Sequence, residues 1–95
     1  MNLIKIYEKT GSFAEYKDIA RDIRVKEILP CLDENEVLLD FEKVESATQS
    51  FIHALISDII RKKGINILDR LYFKNCNDTV KKIISIVTEY MQQQD

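Results

Sequence analysis

The residues of this chain with chemical potential are few and unevenly spread. Ser46, Thr48 and Ser50 place three hydroxyls between an apolar run ending on Asp40 and an apolar helical run starting near Phe51. His53, the single histidine, follows Ser50 at i+3. A hydroxyl and an imidazole one turn apart begin a nucleophile–base pair, but a triad needs a third group to orient the base, and no residue pattern supplies it. Asp40 has only Glu42 and Glu45 near it in sequence, and acid–base work needs a positioned partner. Cys31 and Cys76 stand alone, without the clustered ligands of a Cys/His zinc site. Two glycines cannot build a phosphate-cradling loop. The chain thus reads as a non-enzyme, with no catalytic residue, no metal and no cofactor.

The three hydroxyls suit another chemistry. They fall where a strand's carboxyl end meets a helix N-terminus, the edge at which open α/β sheets meet ligands and partners. A helix N-terminus also favours negative charge. Phosphorylation of Ser50 or Thr48 would add about −1.5 to −2 charges there. The structural reading is a cap: Ser46 with Gln49 fits the S/T-x-x-E/Q capping box, and Thr48 is a second possible cap. A cap is worth ~1 kcal/mol, which accounts for one hydroxyl rather than three. Asn75-Cys76-Asn77 precedes another helix, as a double-Asn turn and cap or as an anion-binding loop. Both segments lie at strand carboxyl ends. Ser46, Thr48, Gln49, Ser50, His53, Asn75, Asn77 and Thr79 are therefore the candidate partner-binding residues.

These residues need a frame, and the apolar pattern predicts one. Asn2 to Lys9 reads as a first strand, closed by the Thr10-Gly11-Ser12 turn. Tyr16, Ile19, Ala20 and Ile23 fall on one helix face, and Pro30 should end or bend that helix at Leu29. Val37 to Phe41 has no polar alternation until its end, as in a central parallel strand buried on both faces. The second helix spans about Thr48 to Lys63, with a wet side of Ser50, His53, Ser57 and Arg61 and a stop at Gly64. Ile65 to Phe73 holds a third strand. Asn77 or Asp78 caps a last helix whose face is Val80, Ile83, Ile84, Val87, Tyr90 and Met91. The fold class is α/β: a small, mostly parallel sheet of three to four strands with about three helices, in β-α-β-α-β-α order, with right-handed connections. The 95 residues suit one domain, 1–95.

Composition narrows the partners. A net charge of −2, from 14 basic and 16 acidic residues, gives no general attraction to nucleic acid or anionic membrane. The one basic run, Arg61-Lys62-Lys63, complements a helix end. A small nucleic-acid-associated regulator is the alternative function. No window holds the ~18 apolar residues of a membrane span, and the start, MNLIKIYEK, is too soon charged for a secretory signal. The expected location is cytoplasmic, with reduced thiols. The apolar excess of the second helix, with Tyr90 and Met91, leaves a homodimer face and a core role both open.

The segments DFEKVESATQSFIHALI and LYFKNCNDTVKKII carry a resemblance. From Ile23 to Met91 the chain resembles the STAS-like family of uncharacterised bacterial domains, relatives of the STAS domains of anti-sigma-factor antagonists and sulfate transporters. The resemblance implies a small STAS-like fold and a non-enzymatic regulatory module for signalling, whose protein partner in this class is often a histidine-kinase-like ATPase. In the antagonists an Asp-Ser-Ser-Gly loop carries a phosphorylated second Ser. Here Thr48 falls at the Asp, Gln49 at the first Ser, Ser50 at the phosphorylated Ser and Phe51 at the Gly. Only the Ser is kept, and Phe51 is expected to place bulk beside it.

Overall fold

The computed structural model describes residues 2–32 and 35–92. In chain order the elements are β1 (Asn2–Lys5), α1 (Tyr7–Thr10), β2 (Phe13–Ala14), α2 (Lys17–Ile23), a π-helical turn (Arg24–Ile28), α3 (Leu29–Leu32), β3 (Val37–Asp40), β4 (Ser46–Ala47), α4 (Gln49–Lys63), a 3₁₀ stretch (Ile65–Arg70), β5 (Leu71–Lys74) and α5 (Asp78–Gln92). The three longer strands make one parallel sheet in the order β1-β3-β5, and β2 pairs with β4, also in parallel. The expected α/β class with parallel strands and long helical crossovers holds, with the helical content divided among five helices rather than about three.

The sheet is lined up by a four-residue register: Leu3 beside Leu38 beside Tyr72, and Lys5 beside Asp40 beside Lys74. Ile4, Val37, Leu39 and Leu71 alternate with those residues and are buried against the helices. Sequential strand order with right-handed crossovers sets both crossover helices on one face, and α2, α4 and α5 pack as neighbours, α4 in the middle. The expectation that Val37 to Phe41 is buried on both faces holds except at Leu38, since Asp40 on the same face is buried. Val37 and Leu39 are fully covered, whereas Leu38, on the other face, is only half-buried.

Short β3 also explains where the expected strands stop. A strand needs a partner for its backbone groups, and β3 offers four residues to each neighbour. The first strand therefore ends at Lys5 rather than Lys9. The Ile6 amide still donates to the Asp40 carbonyl at 2.9 Å, and the chain then coils into α1. Ile65 to Arg70, expected as strand, meets its own hydrogen-bonding needs in a 3₁₀ stretch. Arg70 donates from its guanidinium to the Leu32 and Asn35 carbonyls and ties that stretch to the end of α3.

Pro30 does not end its helix at Leu29. The path continues to Leu32, and the irregularity lies upstream, where the Leu29 amide donates to the Arg24 carbonyl in an i→i−5 bond. A proline lacks the N–H and crowds the preceding turn, and the widened π turn accommodates both effects. Arg24, at its start, reaches across to α4. Its Nη1 donates to the Ala54 carbonyl at 2.6 Å and lies 3.2 Å from Asp58 Oδ2. On α4 itself Ser57 is buried, not on the wet side expected for it; Ser50 and Arg61 are exposed and His53 is half-buried.

The Arg24 contacts differ in worth. The carbonyl bond is made by a side chain only 12% exposed, whereas Asp58 is 40% exposed. Loss of a charged donor from a shielded carbonyl costs roughly 1–3 kcal/mol; an exposed ion pair is worth about 0–1 kcal/mol. Arg24→Ala should therefore lower the urea midpoint clearly more than Asp58→Asn. Equal losses would refute the ranking.

Candidate functional site

The approach to α4 is built by the small second sheet. Phe13 lies beside Ser46 and Ala14 beside Ala47, and the Thr48 amide donates to the Ala14 carbonyl at 3.0 Å. Ala14 and Ala47 point into the core, which leaves Phe13 exposed and Ser46 half-buried. Thr48 is extended and its Oγ1 accepts from the Phe51 amide at 3.0 Å, so Thr48 is the N-cap of α4. The capping box expected from Ser46 and Gln49 is not formed: Ser46 belongs to β4 and Gln49 is the first helical residue. Ser50 stands exposed in the first turn. The Phe51 ring, expected as bulk beside it, is fully buried in the core and leaves the surface around Ser50 open.

Ser50 lines a groove. Gln49, Ser50 and His53 of α4 face Ile86, Val87 and Tyr90 of α5 across a volume of about 520 Å³. That size lies within the ~300–1,000 Å³ of ligand-binding clefts. The α5 wall was not legible as a site. Val87 and Tyr90 read as part of one apolar face and Ile86 lay outside it; the structure buries Val80, Ile84, Val87 and Met91 and leaves Ile86 38% and Tyr90 48% exposed. The available signal is a second stripe, Thr79, Ile83, Ile86 and Tyr90 at i, i+4, i+7 and i+11, one position out of phase with the core stripe.

The second candidate segment adjoins the first through Asn77. Its Oδ1 accepts from the Val80 amide at 2.8 Å, capping α5. Its Nδ2 donates to the Glu45 carbonyl at 2.9 Å and to the Val44 carbonyl at 3.4 Å. Asn75 is in the left-handed region, φ 59°, and its Nδ2 donates to Asp40 Oδ1 at 3.0 Å. Both amides thus hold the 40–45 connection in place, and Thr79 is left exposed in the first turn of α5. Burial pushes the Cys76 thiol up from its ordinary value, Lys81 opposing and Asp40 adding to the shift.

Asp40 closes the other side of this connection. It is 8% exposed, and besides Asn75 it accepts from the Glu42 amide at 2.9 Å. Burial alone would raise its pKa. The Asn75 and Glu42 hydrogen bonds, with Lys5 and Lys74 nearby, outweigh that and hold it below the ordinary value. A carboxylate kept ionised by internal donors is a turn-former, not a poised general acid. Among the described residues no three His, Cys, Asp or Glu side chains converge as metal ligands would.

A family model described as a STAS-like domain of unknown function matches residues 23–81, more than half of the chain. The chain belongs to this family. No curated protein and no solved structure matches it. The match to the STAS-like domain runs from the last residue of α2 to the first turn of α5. It takes in Thr48, Ser50, His53 and both asparagines, and stops before Ile86 and Tyr90. No described helix of this STAS-like domain is long and apolar enough to cross a membrane.

The geometry sets two expectations for the domain. Thr48→Ala should cost about 1 kcal/mol through the lost cap, while Ser46→Ala, which removes no capping bond, should change the urea midpoint little. A larger loss at Ser46 would contradict the assignment. The depressed Asp40 pKa contributes stability that is fully present above the ordinary value of 3.8 and is lost as pH falls through the lower folded value. The Tm difference between the wild type and Asp40→Asn should stay constant between about pH 7 and pH 5 and narrow toward about pH 3. A pH-independent difference would rule this out.

Proposed function

We propose that this domain is a non-enzymatic regulatory interaction module that receives a partner protein on the α4–α5 groove, with Ser50 as the regulated position. The observation that carries the reading is the joining of Ser50 and His53 to the exposed Ile86 and Tyr90 in one open groove. Apolar and aromatic side chains beside a few polar groups form a surface that a protein partner can desolvate and orient upon. Family membership supports the regulatory role, and the resemblance to the antagonists suggests a histidine-kinase-like ATPase as partner.

Ser50 suits such control because its surroundings are permissive. It is exposed in the first turn of α4, and Phe51 is turned into the core. A phosphate there is tolerated by the helix dipole, so its charge acts on whatever occupies the groove. Thr48 suits it less, since its hydroxyl already caps the helix.

The test is binding to a kinase-like ATPase encoded beside this gene, measured by calorimetry with wild type, Ser50→Ala, Ser50→Asp and Ile86→Asp. Ser50→Ala should bind as wild type does. Ser50→Asp should bind at least about tenfold more weakly, a change of ~1.4 kcal/mol, and Ile86→Asp should abolish binding. Equal binding by Ser50→Ala and Ser50→Asp, with no phosphate on Ser50 by mass spectrometry, would eliminate the switch. Undiminished binding by Ile86→Asp would eliminate the groove.

A further inference from the structure

The α4–α5 groove holds one group whose charge the docking reading does not use, the His53 imidazole. Ser50 and His53 stand at i and i+3 on α4, and both line the groove. Side chains at that spacing are neighbours, with Cβ atoms about 5–6 Å apart. Ser50 is exposed and His53 half-buried, so a group added to the Ser50 hydroxyl has room to lie over the ring. The Phe51 amide, a donor that an anion in the first turn would otherwise meet, is already taken by Thr48 Oγ1 at 3.0 Å.

The charges around His53 leave such an anion one counter-charge within the groove. The lining is Gln49, Ser50, His53, Ile86, Val87 and Tyr90, so no carboxylate belongs to it and His53 is its one source of positive charge. From α5 the groups facing His53 are Ile86, Val87 and the titratable Tyr90; Lys82 and Glu89 are exposed outside the lining. On the α2 side Arg24 is engaged by the Ala54 carbonyl and by Asp58, which also lies 3.6 Å from Arg61. Phosphate and imidazole change charge in the same range. The second ionisation of phosphoserine lies near about pH 6, and histidine changes charge between about pH 5 and 8. A hydrogen bond between two ionised groups is roughly twice as strong as a neutral one.

We infer that a phosphate on Ser50 is held by the imidazole of His53, as an internal phosphoserine–histidine pair laid along α4 in the groove. The inference rests on the reading of Ser50 as the regulated position. It adds that the phosphate does not act on the partner by charge alone: the pair covers the α4 wall that the partner would use. The pair is complete only where the phosphate is a dianion and the imidazole is protonated, so the modified groove responds to pH near neutrality.

The test encodes phosphoserine directly at position 50 of the full chain and follows its phosphorus NMR signal through pH. A neighbouring cation favours the dianion. The midpoint of the second ionisation should therefore lie at least about 0.5 pH unit lower with His53 present than in His53→Gln, about a threefold change in proton affinity. Phosphoserine encoded at Ser85, exposed on α5 and outside the groove lining, should titrate alike in both backgrounds. A second readout needs no variant of His53: the ring signals of the one histidine should follow the phosphate's ionisation when position 50 is modified and not when position 85 is. Equal midpoints at position 50 with and without His53, an equal His53-dependent change at position 85, or ring signals indifferent to the phosphate would each overturn the pair. Because the phosphate is encoded, the outcome is independent of any kinase. Equal midpoints would remove the pair and leave Ser50 acting by charge alone, whereas an absence of phosphate on Ser50 in the native protein would remove the regulated position and leave the measured pair standing.

Discussion

Everything else in this domain depends on the placing of β3 between β1 and β5, with Val37 and Leu39 sealed under the helices. A central parallel strand must be entered and left by crossovers, and right-handed crossovers in sequential order put their helices on a single face. That constraint makes α4 a middle helix with α2 on one side and α5 on the other. It explains why α4 is apolar around so much of its circumference, and why Leu3 and Tyr72 on the opposite sheet face are exposed. It also gathers the segments after β1, β3 and β5 at one edge of the molecule.

At that edge the chain is held by polar contacts rather than by core packing. Asp40 accepts from Asn75 and Glu42, and Asn77 bridges the α5 start to the Val44 and Glu45 carbonyls. These bonds cross between the segments that follow β3 and β5, so the two helix starts are positioned by each other. Lys43, in the left-handed region with φ 71° and its Nζ 5.8 Å from the Tyr7 ring centroid, completes the turn against α1. Asn75 and Asn77, exposed residues that read as contact residues in the sequence, also tie down the 40–45 connection that leads into β4.

The α4 element shows how far the linear pattern reaches. Its bounds, its Gly64 stop and the choice of Thr48 as a possible cap were all visible, because capping and periodicity are local effects encoded within a turn or two. Ser57 was misread, since its burial comes from neighbours distant in sequence. The Ile65 to Arg70 segment was misread for the same class of reason. Its residues have strand-like apolar content, but β3 is too short to pair with them, and strand length is a property of the pair rather than of either member.

The sequence by itself determined the α/β alternation, the strand–loop–helix that carries Ser50, and the STAS-like affiliation, because all three reside in composition, period and short motifs. Only the tertiary structure decided which hydroxyl caps α4, which way Phe51 turns, and that Ile86 and Tyr90 stand across from Ser50 and His53. Each of these depends on the packing of α5 against α4, or on the side of the sheet to which the crossovers go. Residues more than thirty positions apart meet there, and no local pattern records that meeting.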